Sequence, residues 1–331
     1  MILVCGGAGY IGSHMVALLN ELGKKTVVVD NLSTGHKEAV AENKLYVGDL
    51  RDEHFLDEVF SQNQIEAVID FAAFSLVGES MTNPLKYFDN NISSTISLLK
   101  AMQKHGTNKI VFSSTAAVYG NAQIMPIDEN QPTAPTSTYG ESKLIVENIL
   151  NWCDNCLGIK YASLRYFNAA GAHKSGKIGE MHHPETHLIP IIAQTILGQR
   201  DKLDIYGDDY PTPDGTCIRD YIHVMDLVAA HDLALQMLNT KKQSAIYNLG
   251  NGVGFSVKEV VKTFEQVTGK KVKTQIAPKR PGDPAQLIAS DKKAQTELNW
   301  HRQFNDKAGL EKIIESAYKW HSTKPQGYNT K

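Results

Sequence analysis

Met1-Ile2-Leu3-Val4-Cys5-Gly6-Gly7-Ala8-Gly9-Tyr10-Ile11-Gly12 opens the chain, and the order of residue types within it decides the fold. The short apolar run Met1–Val4 reads as a buried strand, and Ile11–Leu22 repeats its apolar positions at helical spacing. Gly6 and Gly9 allow a tight turn that brings backbone amides close to a pyrophosphate. Gly12 allows the helix to pack closely on the strand, with the helix N-terminus facing the phosphates. Asp30 ends the next strand, Thr26–Val29. An acidic group there accepts hydrogen bonds from an adenosine ribose and repels a 2′-phosphate, which predicts NAD rather than NADP. Asp49, in Gly48-Asp49-Leu50 after a third strand, is a candidate for the adenine side, and equally for a turn or cap.

Outward from this stretch, strands at Lys44–Val47, Ala67–Phe71, Lys109–Phe112 and Lys160–Leu164 alternate with helices at Glu53–Gln62, Asn90–Lys104 and Tyr139–Asn155. Strand and helix in alternation imply an α/β fold, a doubly wound parallel Rossmann sheet covered on both faces. From Gly171 the pattern changes. Gly, His and Pro gather through Gly171–Pro190, and Asp208–Gly215 is turn-rich. Helices are expected near Ile189–Leu197, Asp226–Leu238, Ser256–Thr268 and Asp306–Trp320, with short strands at Leu203–Tyr206, Ala245–Leu249 and Lys273–Ile276. Residues 1–170 are therefore expected to form the dinucleotide-binding domain. Residues 171–331 form a smaller mixed α/β substrate-binding lobe, with segments returning to the first domain. The tail Ser322–Lys331 is polar and expected to be loosely held.

Composition narrows the function. In 331 residues, 34 Lys and Arg against 36 Asp and Glu leave a net charge of −2, which gives no electrostatic case for nucleic acid or an anionic membrane. An anionic ligand must then be met by locally placed cations and amides. No leader and no spanning apolar run are read, so a cytoplasmic location is expected. Four cysteines make no disulfide framework. Cys153 and Cys156 form a C-x-x-C inside a helical stretch, without a second cysteine or histidine pair at zinc spacing, so no metal is expected.

Tyr139-Gly140-Glu141-Ser142-Lys143 places a phenol and an ammonium one helical turn apart. A free tyrosine is a poor base at neutral pH, with a pKa of about 10. A nearby ammonium and a positive nicotinamide ring both favour its phenolate. Upstream, Lys109–Phe112 runs into Ser113-Ser114-Thr115, which sets hydroxyls at a strand's carboxyl end. Thr115 there is placed to hydrogen-bond a substrate hydroxyl and share its proton with Tyr139.

The glycine turn, the Ser-Ser-Thr strand end and the Tyr139/Lys143 pair resemble the extended short-chain dehydrogenase/reductase superfamily. Longer strings resemble its UDP-glucose 4-epimerase family: Phe71-Ala72-Ala73, Val77-Gly78-Glu79-Ser80, Asp89-Asn90-Asn91 and Leu164-Arg165-Tyr166-Phe167-Asn168. Asp214-Gly215-Thr216, Arg219-Asp220-Tyr221-Ile222-His223-Val224 and Tyr247-Asn248-Leu249-Gly250 extend the likeness to practically the whole chain. The resemblance implies Tyr139 as base, Lys143 on the nicotinamide ribose, and Thr115 assisting, at a position where the family often carries serine. It implies an NAD site from Gly6, Gly9, Tyr10, Ile11, Gly12, Asp30, Asn31, Ser33, Thr34, Gly35, Asp49, Leu50, Phe71, Ala72, Ala73, Asn90, Ser113 and Phe167. Ser75 departs from relatives that carry lysine.

For the substrate, the resemblance places Arg219 and Arg280 on a diphosphate, which guanidinium matches in fork geometry. It puts Asp283 near a ribose, Asn168 and Leu188 beside the substrate, Tyr206 stacked on uracil, and Leu287 in the sugar-pocket wall. Leucine there leaves more room at C2 than tyrosine, which extends the expected substrates to UDP-N-acetylhexoses. The implied reaction interconverts UDP-galactose and UDP-glucose through a 4-keto sugar, with tightly bound NAD and the diphosphate held while the ring turns over. A 4,6-dehydratase usually carries an Asp-Glu pair after the strand-end threonine, and a uronate decarboxylase an acidic residue there. This chain has Ala116-Ala117. A 4-epimerase of a UDP-pentose or UDP-uronate remains the alternative enzyme, and a nucleotide-sensing binding protein the alternative class. A homodimer packed through Asn90–Lys104 and Tyr139–Asn155 is implied as well.

Overall fold

In the computed structural model, which describes residues 1–280 and 283–328, β1 (Ile2–Cys5) leads through the glycine turn into α1 (Tyr10–Glu21). There follow β2 (Thr26–Asp30), β3 (Lys44–Val47), α2 (Glu53–Gln62), β4 (Ala67–Asp70), and two short helices, α3 (Val77–Thr82) and α4 (Pro84–Phe88). α5 (Ser94–Lys104), β5 (Lys109–Thr115), α6 (Thr138–Leu157) and β6 (Lys160–Tyr166) complete this half. The second half holds β7 (Asn168–Ala170), α7 (Leu188–Ile196), β8 (Leu203–Tyr206), β9 (Ile218–His223), α8 (Val224–Thr240) and β10 (Ala245–Leu249). Then come β11 (Gly254–Ser256), α9 (Val257–Thr268), β12 (Thr274–Ala277), β13 (Gln286–Leu287), α10 (Lys292–Leu298) and α11 (Asp306–Thr323).

Seven strands pair in parallel in the order β10-β6-β5-β4-β1-β2-β3. The order reverses between β1 and β4, and the crevice at that switch point is where open α/β sheets hold ligands. Strand pleating sends Ile2 and Val4 into one apolar layer and Leu3 and Cys5 into the other, so β1 is buried on both faces. α8 packs with α1 on one side, where Leu227, Val228 and Leu235 join Met15 and Leu19 in a shared core. α2, α5 and α6 cover the opposite side.

A four-stranded sheet forms around β9, which pairs with β7, β11 and β13, and β8 pairs with β12. Ile189, Ile192, Val260, Phe264, Leu310 and Ile314 make a separate core beneath them. α9 is set by a capping box in which the Ser256 hydroxyl and the Glu259 backbone and side chain satisfy each other.

Three features differ from the sequence reading. β10 was expected among the small lobe's strands, yet it is the seventh strand of the main sheet, paired along its length with Ala162–Tyr166 of β6. The helix expected from Asn90 begins as a π-turn over Asp89–Ser93 that joins α4 to α5. Such turns widen a helix locally and often accompany sites. The tail is docked as far as Tyr328. This residue stacks on His36 at 4.8 Å and exchanges hydrogen bonds with the Gly179 backbone, because a polar stretch carrying one aromatic ring can still bury that ring. Residues 329–331 of the expected tail lie outside the described residues.

Candidate active site

The turn after β1 is built so that only glycine fits. Gly6 adopts a φ of +66°, and a Cβ on it would stand 2.7 Å from the Ala72 amide nitrogen. At Gly12 a Cβ would come within 2.2 Å of the Gly6 carbonyl oxygen, so α1 rests directly on the turn. No side chain caps α1, and no acidic residue occupies its first turn. Its open amides and positive dipole end line a cavity of about 260 Å³ together with Gly6 and Gly9. Backbone that approaches this closely without side chains is suited to a pyrophosphate.

A second cavity of about 90 Å³ shares Gly6, Gly9, Thr34, Phe71 and Ala73 with the first. Asp30, Asn31, Ser33, Asp49, Leu50, Ala72 and Asn90 also line it. The Asp30 carboxylate accepts from the Ala8 and Leu32 amides at 2.9 and 2.8 Å. Burial raises its pKa, and these amides oppose that rise. Each oxygen retains a further lone pair for a ribose hydroxyl. Gly35 stands behind it, where a Cβ would meet the carboxylate at 2.8 Å. Asp49 faces the cavity but is bound by the Arg51 guanidinium at 2.8 and 3.0 Å, which holds its carboxyl below the usual range. Together the two cavities accept an extended group with an anionic middle and a ribose at one end, as a dinucleotide requires.

α6 begins with Ser137 accepting from the Gly140 amide at 3.1 Å, and this cap aims the first turn at the larger cavity. Tyr139, only 8% exposed, shares that cavity with Thr115, Ser113 and Lys143. The Lys143 ammonium donates to the Ser113 carbonyl at 2.8 Å and lies 4.7 Å from the Phe112 ring centre. Burial lowers Lys143 to about 8, against the attraction of Asp70 and Glu147. The lysine was expected to bring the tyrosine pKa down. Instead, burial raises Tyr139, and the opposing pull comes from the Thr115 hydroxyl, because the ammonium is directed at a carbonyl rather than the phenol. Thr115 also accepts from the Ala117 amide at 3.1 Å.

Behind these groups Glu147, one turn beyond Lys143, forms a buried two-pronged pair with Arg165 of β6 and accepts from the Ser114 hydroxyl. Arg165 also donates to the Tyr119 hydroxyl at 2.9 Å, and Tyr119 donates to Asn248 of β10. This chain of polar contacts locks α6 against three strands of the sheet.

Asn168, Leu188 and Phe167 line the larger cavity, as does Ser75. Leu287, expected in the sugar-pocket wall, lines neither cavity; like Phe167, it packs against the small core of Val118, Tyr119 and Ile127. The remaining substrate candidates form a separate group. Arg219 donates to Asp283 at 2.6 Å and to the Pro284 carbonyl at 2.9 Å, while Arg280 lies over the Tyr206 ring at 3.9 Å. The structure brings these four residues together but not into either cavity, and one face of Tyr206 is taken by Arg280.

A family model described as GDP-mannose 4,6 dehydratase matches residues 3–313. The UDP-glucose 4-epimerase of Halalkalibacterium halodurans is 54% identical over 329 residues, covering 99% of this chain and 98% of the relative. The chain belongs to the UDP-glucose 4-epimerase family. A crystal structure of a UDP-glucose 4-epimerase superposes with a TM-score of 0.96 at 52% identity, covering 99% of both chains. That of the Bifidobacterium longum UDP-glucose 4-epimerase, in complex with NAD+ and UDP, gives 0.92 at 39% identity, again covering 99% of both. The broader dehydratase description is compatible with this membership. The Asp-Glu pair expected of a dehydratase after Thr115 is Ala116-Ala117 in this chain.

Within this epimerase-family site, four side chains that line the larger cavity went unread in the sequence. Tyr166 shares a short hydrogen bond with Ser113, and Glu180, His182 and His187 line the same cavity. Tyr166 lies within Leu164-Arg165-Tyr166-Phe167-Asn168, but only strand register brings it beside Ser113. The other three carried a legible signal in the spacing Glu180-x-His182-x-x-Glu185-x-His187. The Glu180 and Glu185 carboxylates outweigh burial at His187 and leave its pKa at about 9.

Proposed function

We propose that this chain interconverts UDP-galactose and UDP-glucose with NAD held in the crevice between β1 and β4. The observation that carries the reading is one cavity lined both by the glycine turn and by Thr115, Tyr139 and Lys143. Gly6, Gly9 and the first amides of α1 would hold the pyrophosphate, and Asp30 the adenosine ribose. Bound there, NAD would supply a hydride acceptor for the sugar C4, with the hydride going back to the opposite face of the 4-keto sugar, and a positive charge that favours the Tyr139 phenolate. The Tyr139 hydroxyl oxygen takes the proton of the sugar 4-hydroxyl and later returns it, with Thr115 hydrogen-bonded to both. Lys143 would hold the nicotinamide ribose. Arg219 and Arg280, once freed from Asp283 and Tyr206, would clamp the diphosphate, with Asp283 left for the uridine ribose.

The direct test is turnover of UDP-galactose by the purified protein without added NAD. Product formation in step with enzyme-bound dinucleotide is expected. A protein that carries no dinucleotide and needs none to bind UDP-sugars would instead be a binding module. UDP-pentoses and UDP-uronates belong in the same assay, and faster turnover of either would reassign the substrate.

Leu287, packed on the same small core as the cavity-lining Phe167, would leave space at C2 of the sugar that a larger side chain would fill. UDP-N-acetylglucosamine is therefore an expected second substrate. Leu287→Tyr is expected to lower its kcat/KM by about 10–100-fold relative to UDP-glucose, the scale of a few buried methylenes. An equal loss on both substrates would remove Leu287 from the pocket wall.

Ile96 on α5 and Trp152 on α6, the latter 67% exposed, mark the face through which a homodimer would form. No described helix is long and apolar enough to cross a membrane. The reaction as proposed draws on cytoplasmic nucleotide sugars.

A further inference from the structure

The loop between β7 and α7 carries a cluster that the proposed chemistry does not use. Glu180, His182, Glu185 and His187 bring one ligating atom each within 4.8 Å of one another. We infer that these four side chains form a binding site for a zinc-class divalent ion, held by two imidazoles and two carboxylates.

The donor set suits late first-row divalent ions, for which zinc adopts a tetrahedron with bonds of about 2.0–2.2 Å. Ligand atoms in such a tetrahedron stand roughly 3.3–3.6 Å apart by simple geometry. His182 Nδ1 is 3.4 Å from Glu180 Oε1 and 3.6 Å from Glu185 Oε2, two edges of that size. One edge is shorter, because His187 Nδ1 hydrogen-bonds Glu180 Oε1 at 2.6 Å, a contact that an ion would open.

Two further observations point to a ligand. Buried His182 Nδ1 and Glu185 Oε2 have no hydrogen-bond partner, although Glu185 is only 6% exposed. The orientation of Glu185 is also fixed. Its Oε1 accepts from the Thr186 and His187 amides at 2.9 Å each, which leaves Oε2 facing His182. Unpaired buried polar atoms are rare and call for a partner. Among the described residues, every ion-pair partner of Glu180 and Glu185 is a histidine. The loop backbone is braced from outside the cluster. Trp320 donates to the Glu180 carbonyl, and Arg200 to that of Glu185, each at 3.1 Å.

Four protein ligands close a tetrahedral shell, so the ion would position rather than polarise. His187 immediately precedes α7, and the His182 ring meets Tyr10 edge-on at 6.4 Å. A bound ion would pin this loop across the start of α1 and hold Leu188 in the cavity wall. The site stands whatever sugar the enzyme turns over.

The test uses the full-length protein, stripped with a chelator, dialysed into metal-free buffer and titrated with zinc chloride. One equivalent per chain, retained through gel filtration, is expected, with a rise in Tm of about 5 °C. Cobalt(II) should give the visible absorption of a four-coordinate ion. His182→Ala is expected to weaken zinc binding by at least about tenfold, whereas Cys153→Ser/Cys156→Ser should bind as the parent does. Retention of well under one equivalent by the parent protein overturns the site. So does zinc binding that His182→Ala leaves intact and the cysteine variant abolishes. If His182→Ala fails to fold, the parent titration and its cobalt spectrum decide alone.

Discussion

Replacing Tyr139 with phenylalanine is expected to lower kcat for UDP-galactose by roughly 10²–10⁴-fold, the span of a lost general acid–base group. Bound NAD and KM should change little, since the ring keeps its place at the start of α6 and only the hydroxyl leaves. The physical reason is that the 4-hydroxyl proton then has no acceptor of matched basicity at that position. Thr115 passes a proton but is far too weak an acid to retain its loss. Lys143 is engaged at the Ser113 carbonyl. Single-turnover spectra of bound dinucleotide check this, because the variant should form reduced cofactor slowly on mixing with sugar nucleotide. Near-parental turnover would show that the phenol is not the base and would move the role to Tyr166.

A comparable effect on stability is expected at Glu147. Glu147→Leu leaves the Arg165 guanidinium buried without its carboxylate, and breaking one side of such a pair costs about 3–5 kcal/mol. Denaturant unfolding of the holoprotein measures it. The double variant Glu147→Leu/Arg165→Met should regain most of the loss, since the penalty belongs to the stranded charge. If the single variant lost less than about 1 kcal/mol, water or a shifted Tyr119 would have to satisfy Arg165.

Much of this was legible in the residues themselves. β1 to β6 are short Val- and Ile-rich runs, and the structure lengthens β5 and β6 only by the polar residues at their carboxyl ends. Tyr139 and Lys143 were readable as neighbours because four residues on a helix make one turn. β9 was not read as a strand, because Arg219 and Asp220 interrupt its apolar pattern. Asp220 is nevertheless buried, accepting from the Asn251, Gly252 and Ala289 amides. Pairings across the sheet were invisible for a different reason. Glu147 with Arg165, and Tyr166 with Ser113, depend on strand order and register, which no local pattern encodes. Arg219 and Arg280 were identifiable as anion-binding types. That Arg219 engages Asp283 and Arg280 covers Tyr206 required the fold. The Glu180–His187 spacing is present in the chain, but it matches neither a cysteine nor a paired-histidine zinc signature.

The place of Ala245–Leu249 beside β6 has a consequence for biosynthesis. β6 is complete at Tyr166, but its outer edge stays uncovered until Leu249 has been made. At about 5–20 residues per second the ribosome takes roughly 4–17 s to deliver that last strand. Over that interval a nascent chain presents a bare row of amides and carbonyls along Ala162–Tyr166, the kind of margin to which other chains add. Vectorial synthesis therefore leaves the far side of this sheet, made well after the glycine turn, exposed until the second half of the chain has been synthesised.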